Sequence, residues 1–485
     1  MTMKNLFTKM HKTKWRTPGK QSAGVGFVCG ARLIWLPGLM LVLVISACKV
    51  TTPYRQPTSV AGNGLYRDSV AGDTATIANI PWRQLFSDTL LQHLIQEGID
   101  NNPDLKIAVA RIRGAEANFR QSKAAFFPSL SANADASLQK TPRLPSTQTY
   151  EAYLSSSWQV DIWGRLRSAR RAQLAALLQS DAYRRDVQTQ LVSNIAVNYY
   201  ALLAYDQQLK ITLATVQNRK EDVETTKALK ESDVLTGAAV MQSQANLYSA
   251  EVTVPDIRQR IRQGENTICL LLGRNPGPID RDSLDKEQVA TDLRTGLPAQ
   301  LLANRPDVQE AEFQLRYYAE LTNVARTYFY PALTITAQGG LSSGNLSHFF
   351  DASSFFGNIV GGLTEPIFNN GLNKQRLEVA KSQEQEFLLT FQKTLLTAGQ
   401  EVSNALTDYQ SATEKITIRS KEIHFLEKSV EFTKELMKYN ANTNYTDVLT
   451  SEQNYLSAQL DGIDDRLQQL QAVVTLYASL GGGWR

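Results

Sequence analysis

A stretch of 72 residues, Arg165 to Thr236, contains neither glycine nor proline, and no other feature limits the fold as strongly. Because these two residues interrupt helices, their absence favours one continuous helix. At about 1.5 Å per residue it would be roughly 100 Å long, which no single globular core requires. Apolar residues recur at coiled-coil spacing from Leu191 to Val216 and from Leu449 to Tyr477. The sequence therefore predicts long helices packed side by side.

The chain contains the same unit twice. Residues 103–138 and 306–341 align without a gap at a constant offset of 203, and nine of the aligned positions are identical. Each copy reads as a helix, two strands, a very long helix, a turn and a further long helix. We divide the sequence accordingly into a signal segment 1–47, an arm 48–81, a first repeat 82–273, a linker 274–297 and a second repeat 298–485.

Segments with strict period-two alternation follow the first helix of each repeat. In the first copy, small apolar residues from Leu130 to Leu138 alternate with Ser, Asn and Asp. This pattern is typical of a lipid-facing barrel strand, although a half-buried strand of a soluble sandwich also alternates in this way. The long helices favour the membrane interpretation. The predicted strands cover about 129–142, 149–162, 332–345 and 354–367.

Four strands are too few to close a membrane barrel. A lipid-exposed open sheet edge is not tolerated in a bilayer, because its backbone polar groups would have no partners. Several chains must therefore contribute four strands each to one barrel. The sequence thus predicts an α+β membrane protein whose shared barrel continues into a tube of long helices.

The first 47 residues have the composition of an export signal. They carry seven basic residues and no acidic one, and a short apolar run from Leu33 to Ala47 follows the basic part. Cys48 stands directly after Ser46 and Ala47, which resembles a bacterial lipobox. In that class the chain is cut before the cysteine, the thiol receives a diacylglyceryl group and the new amino terminus is acylated. Two or three lipid chains of this kind anchor a protein stably. The alternative is a buried core cysteine.

The remaining composition excludes several classes of function. Beyond residue 47 there are 44 basic and 47 acidic residues, so the chain has no basic footprint for nucleic acid. Only Cys48 and Cys269 remain as cysteines, and no HExxH, Walker A or GxSxG motif occurs. Cys269 lies in the apolar segment 268–273 (ICLLLG), which predicts a buried small apolar residue. We therefore expect neither an enzyme nor a resident cofactor or metal, and only covalent lipid on Cys48.

Several motifs together resemble the TolC-like outer membrane factor family, in its lipoprotein branch associated with resistance-nodulation-division (RND) efflux pumps. Pro53-Tyr54-Arg55-Gln56-Pro57 looks like the arm of that branch, and 158–165 (WQVDIWGR) resembles the segment where its second strand enters the long helix. Residues 301–307 (LLANRPD), with Ala311-Glu312, resemble the family's LLxRRPD…AE signature, with Asn304 in place of the first arginine. The resemblance covers essentially all of 48–485.

This resemblance implies a homotrimer in the outer membrane of a Gram-negative bacterium. Its twelve strands would form one β-barrel, continued by a periplasmic α-helical barrel with an equatorial domain. Such a protein is a passive exit duct for drugs and other toxic small molecules. An inner membrane RND or ABC transporter supplies the energy, and a periplasmic adaptor joins the two.

In the family the tube closes at its periplasmic tip, which here corresponds to the turns at about 231–239 and 438–446. Asp447 matches the family's gate carboxylate, while Thr450 and Val240 replace acidic positions. Gly237 keeps a tip glycine. The second turn instead has Asn442, Thr443 and Asn444, with Thr443 where the family has a latch arginine. These turns are the expected adaptor contact, although Asp447 could also act only as a helix-start residue.

Three other functions remain as alternatives to the efflux duct. An outer membrane duct for type I protein secretion would share the same architecture. A periplasmic adaptor lipoprotein also has a lipid anchor and a helical hairpin, but it would have one hairpin flanked by soluble β-domains. A secreted enzyme would need a nucleophile, base or metal constellation, and the sequence offers none.

Overall fold

The computed structural model describes residues 50–57, 65, 76–288, 295, 300–439 and 445–485, with the side chains of 438 and 439 excepted. The strands are β1 (Ser129–Gln139), β2 (Thr147–Val160), β3 (Ala332–Ser343) and β4 (Phe355–Thr364). The helices are α1 (Trp82–Leu85), α2 (Thr89–Asn101), α3 (Pro103–Ala124), α4 (Arg165–Glu231), α5 (Gly237–Leu272), α6 (Leu301–Asn304), α7 (Pro306–Thr327), α8 (Leu372–Tyr439) and α9 (Tyr445–Ser479).

The two long helices that the repeat predicts are both present. α4 has 67 residues and α8 has 68, so each is about 100 Å long. α4 packs against α5 and α9, and α8 packs against α9, so two antiparallel hairpins lie side by side. Among the described residues, none of these helices combines the length and the apolar character needed to cross a membrane.

The four strands form one antiparallel sheet in the order β1-β2-β3-β4, so β1 and β4 each have an unpaired edge. All four predicted strand ends lie two or three residues beyond the observed ones. β1 ends at Gln139, before Pro142, and β4 ends at Thr364, before Pro366, because proline cannot donate to a strand ladder. β2 ends at Val160 because the Asp161 carboxylate accepts hydrogen bonds from the first backbone amides of α4.

The strand register places most of the apolar residues of the four strands on one face of the sheet. Leu130 lies opposite Ser156, Ala132 opposite Leu154, and Leu333 opposite both Val160 and Leu363. This face is exposed in the single chain, at Leu130, Leu138, Leu154, Phe355, Ile359 and Leu363. The opposite face carries mainly Ser, Thr, Asn, Gln, Asp and Glu, with Tyr153, Phe356 and Val360 as exceptions. A one-residue slip in any pairing would mix the two faces, so the register itself supports a sheet with one lipid face.

The hydrophobic core lies where the middle of α4 and the N-terminal half of α8 meet the C-terminal ends of α5 and α9. Its largest fully buried side chains include Tyr199, Phe391, Ile268 and Tyr477. Cys269 is also fully buried, as predicted for a small apolar residue. The core therefore fixes the two hairpins near their bases, whereas their tips extend away from it.

Candidate functional site

The first tip turn lies between α4 and α5. α4 ends at Glu231 and α5 begins at Gly237, so this turn falls within the predicted range. A Cβ at Gly237 would meet no atom of the described residues within 4 Å, so none of those residues requires glycine there. Asp233 adopts the left-handed conformation instead, with φ of 57°. The turn therefore depends on an aspartate, a residue that tolerates this conformation better than most.

The second tip turn is only partly within the described residues. Asn442, Thr443 and Asn444 lie outside them, as does the predicted lipidation site Cys48. Asp447 is described and is the third residue of α9, in its first turn. A carboxylate at this place stabilises the helix N-terminus, so the helix-start interpretation of Asp447 has a physical basis.

A partly buried group of charged residues joins the two hairpins close to the tip, and we call Arg219, Asp222, Lys434 and Glu452 the tip cluster. Arg219 of α4 contacts Glu452 of α9, with Nη1 2.7 Å from Oε2. Lys434 of α8 contacts the other carboxylate oxygen of Glu452 at 2.5 Å. The side chains of Arg219 and Glu452 are only 8% and 11% exposed. Glu452 thus connects three of the four tip helices.

Asp222 adds a second carboxylate to the tip cluster. Burial, and then the nearby charge of Glu452, raises the pKa of Asp222 to about 6, while Lys434 and Arg219 oppose this increase. Tyr445 and Ser243 are buried beside these charges. Two cations and two carboxylates therefore share a poorly hydrated contact between the hairpins, where loss of one partner is costly.

The sequence predictions did not include the tip cluster. Arg219 and Glu452 belong to different repeats and are more than 200 positions apart in sequence. One signal was available in α4, where Val216, Arg219 and Val223 follow the three-four spacing of buried helix positions. A charge within such a stripe requires a partner from another helix, but the sequence alone does not identify that partner.

The N-terminal arm is fixed to the outer surface of α7 only four residues after Cys48. Asn323 accepts a hydrogen bond from the Thr52 backbone amide at 3.0 Å and donates one to the Thr52 carbonyl at 2.7 Å. Arg326 also donates to the Thr52 hydroxyl, at 2.7 Å. These contacts attach the described start of the arm to the end of α7 that leads into β3.

Comparisons with known proteins agree with this geometry. The profile of the family described as "Outer membrane efflux protein" matches residues 94–274 and 297–482. The probable efflux pump outer membrane protein TtgC of Pseudomonas putida is 30% identical over 456 residues, which cover 91% of this chain and 94% of TtgC. The cation efflux system protein CusC of Escherichia coli K12 is 28% identical, with 91% and 98% covered.

Solved structures show the same fold. A crystal structure of CusC matches with a TM-score of 0.81 and 25% identity, covering 90% of this chain and all of CusC. The open-state MtrE outer membrane channel of Neisseria gonorrhoeae matches with a TM-score of 0.81 and 24% identity, covering 90% and 99%. The predicted architecture of four strands and two long hairpins per chain is confirmed.

Proposed function

Because the chain belongs to the outer membrane efflux protein family, we propose that three copies form the exit duct of a tripartite efflux pump. The chain is an outer membrane efflux channel protein of a Gram-negative bacterium, and its helical hairpins extend into the periplasm. The observation that carries the trimer is the four-stranded sheet, which has one apolar face and two unpaired edges. Three such sheets supply twelve strands and leave no edge open to lipid.

The long helices also support the assembly of several chains into one closed tube. α4 and α9 occupy the middle of the four-helix layer, so α5 and α8 are its outer members. Each outer helix presents apolar side chains at heptad spacing, and all of them are more than half exposed in the single chain: Met241 and Tyr248 on α5, and Ile418, Phe425 and Phe432 on α8. Packing α8 of one chain against α5 of the next would bury both stripes.

Disulfide cross-linking tests this arrangement. The apolar face of the sheet carries the odd-numbered residues of β4 and the even-numbered residues of β1. If β4 pairs with β1 of the next chain, these two sets must lie opposite each other, because both face lipid. Alignment of the strand ends pairs Leu363 with Leu130. We expect Leu363→Cys combined with Leu130→Cys, in the Cys269→Ser background, to give covalent dimers and trimers on a denaturing gel.

The matched control combines Leu363→Cys with Ser131→Cys, whose side chain lies on the opposite face, and it should remain monomeric on the same gel. Mass measurement in detergent should give three chains per particle. Cross-linking at Ser131 alone, or a stable membrane-inserted monomer, would contradict the proposal.

We propose that the pump partners are a periplasmic adaptor and an inner membrane transporter of the RND or ABC type. TtgC carries the name of a probable efflux pump protein and CusC that of a cation efflux protein, which supports a pump partner. We propose that drugs and other toxic small molecules pass through this duct. The tip turns, with Gly237, Asn442, Thr443 and Asn444, are the proposed adaptor contact, because Gly237 and the helix ends that flank the second turn lie at the end of the hairpins remote from the sheet. A type I protein secretion duct remains the alternative.

We also propose that Cys48 carries the lipid anchor. The lipobox supports this, and the Thr52 contact with Asn323 holds the arm close to the end of the helix that enters the sheet. Mass spectrometry of membrane-extracted protein should show an acylated N-terminal Cys48 peptide. The strands provide their own insertion, so Cys48→Ala should impair anchoring while the barrel still forms. A mature peptide spanning Ala47 and Cys48 intact would exclude lipidation.

The gate role of Asp447 is our third proposal for this duct. Three copies around one axis would place like charges several ångströms apart, where each pair repels by a few kcal/mol at an effective dielectric of about 20. Such a ring attracts cations. We expect Asp447→Asn to weaken block by divalent or polycationic ligands added from the periplasmic side, measured as single-channel conductance in planar bilayers.

The trimer yield of Asp447→Asn should equal that of the unmodified protein. Thr450→Val, one turn further along α9, is the control and should leave block unchanged. If cation selectivity and block are the same in Asp447→Asn as in the unmodified channel, Asp447 acts only at the helix start.

A further inference from the structure

A polar cavity outside the tip cluster contains part of the LLANRPD signature. Its volume is about 330 Å³, and it is lined by residues of α4, by the start of α7 and by parts of α8 and α9. Arg305 and Asp307 of the signature lie in it together with Asp186, Thr189 and Glu401. The proposed duct function gives this cavity no role.

Arg305 lines the cavity, and all three nitrogens of its guanidinium group already donate hydrogen bonds. Arg305 donates to Asp307 through Nε at 2.9 Å and Nη2 at 2.6 Å. Its Nη1 donates to Glu401 at 2.6 Å and to the Ser479 carbonyl at 2.9 Å. Three carboxylates thus face one cation, which leaves an excess of two negative charges when all are ionised.

Asp186 is the carboxylate without a cation. It accepts a hydrogen bond from Gln190 at 2.7 Å, and no ion pair of Asp186 occurs among the described residues. Burial, and then the charges of Asp307 and Glu310, raises the pKa of Asp186 to about 7, while Glu401 adds to this and Arg305 opposes it. A nearby positive charge would stabilise the ionised form.

Thr189 provides an independent indication of a ligand. It lies one helical turn after Asp186, lines the same cavity and is only 6% exposed. Its Oγ1 is buried and has no hydrogen-bond partner among the described residues. Since a buried hydroxyl without a partner is costly, a donor that reached this oxygen from the cavity would supply the missing hydrogen bond.

We propose that this cavity binds an organic cation through a primary ammonium group, and that aliphatic diamines bind most tightly. An ammonium has three donors and no acceptor, which suits the Asp186 carboxylate, the Thr189 hydroxyl and the half-exposed Glu401 carboxylate. A second ammonium balances the remaining negative charge. The volume equals roughly ten water-sized groups, enough for a chain of several methylenes.

A directly coordinated metal ion is a poorer match for this cavity. Among the described residues, no three side chains of the His, Cys, Asp and Glu types are arranged to hold a metal ion. Arg305 also occupies two of the three carboxylates. An ammonium requires only hydrogen-bond acceptors, which Asp186 and Thr189 provide without displacing that arginine.

Calorimetric titration of the purified full-length oligomer with 1,4-diaminobutane at pH 8 tests the proposal. We expect measurable binding that Asp186→Asn weakens by about tenfold or more, since it removes a charge-assisted hydrogen bond. Thr189→Val should weaken binding several-fold, because it removes one neutral hydrogen bond. Asp181→Asn is the control, because Asp181 lies on the same helix but pairs with Arg184 and Arg185. It should leave binding unchanged.

The dependence on pH and on Mg²⁺ completes the test. Binding should weaken from pH 8 to pH 6, because the ligand requires the ionised form of Asp186. Absence of binding, equal affinity in Asp186→Asn, or tighter binding of Mg²⁺ than of the diamine would overturn the proposal. The result does not depend on the number of chains in the duct, so its failure is distinguishable from failure of the trimer.

Discussion

Replacement of Arg219 by alanine is expected to open the resting channel. Among the described residues, the change leaves Lys434 as the one ion-pair partner of Glu452 and removes the arginine that also lies beside Asp222. Breaking a buried ion pair by removing one partner typically costs about 3–5 kcal/mol. An open tip exposes these groups to water and avoids much of that cost, so the ratio of open to closed channels should rise by about a hundredfold or more.

Single-channel recording in planar bilayers measures this effect as a higher open probability at rest. Lys220→Ala is the matched control, because Lys220 forms an exposed ion pair with Glu251 in the same hairpin, worth at most about 1 kcal/mol. Arg219→Lys keeps the charge and should restore much of the closure. If Arg219→Ala trimers close as tightly as the unmodified protein, the tip cluster does not hold the tip shut.

Replacement of Arg305 by alanine should destabilise the whole subunit. Arg305 is buried, and its removal leaves Asp307, Glu401 and Asp186 around one cavity without a cation, and the Ser479 carbonyl without its donor. We expect a loss of about 3–5 kcal/mol, as for other broken buried ion pairs. Unfolding in denaturant, followed by circular dichroism at 222 nm, should show a clearly lower midpoint.

Arg274→Ala provides the comparison for Arg305. Arg274 pairs with Glu97 at 3.3 Å, and both side chains are about one-third exposed, so its loss should cost at most about 1 kcal/mol. Equal midpoints for the Arg305→Ala and Arg274→Ala variants would show that the buried network contributes no more to stability than a surface pair.

The elements that depend on local periodicity could be predicted from the sequence. The Gly-free and Pro-free run predicted α4, and the alternation from Leu130 to Leu138 predicted β1 and its apolar face. Cys269 was expected to be buried because it lies in an apolar segment. In each case the deciding signal lies within one element, where the period of the residues determines which face is buried.

Contacts between distant segments could not be predicted in this way. The Glu452 contacts with Arg219 and Lys434 depend on the packing of three helices. The sequence singled out Gly237 as the glycine of the first tip turn. The residue with a positive φ is instead Asp233, four positions earlier in the chain. The signature residues Arg305 and Asp307 could be recognised in the sequence, but their cavity forms only when α4, α7, α8 and α9 meet.

The length of α4 and α8 has a mechanical consequence. The hydrophobic core holds these helices near their bases, and the segment of α4 from Tyr205 to Glu231 alone extends for about 40 Å beyond Ala204, the last core residue of this helix. A lever of that length moves its free end by about 0.7 Å for each degree of tilt. A rotation of about 10°, small enough to leave every backbone hydrogen bond in place, would displace the tip by about 7 Å. The resistance to such a rotation must therefore reside mainly in the side-chain contacts near the free end.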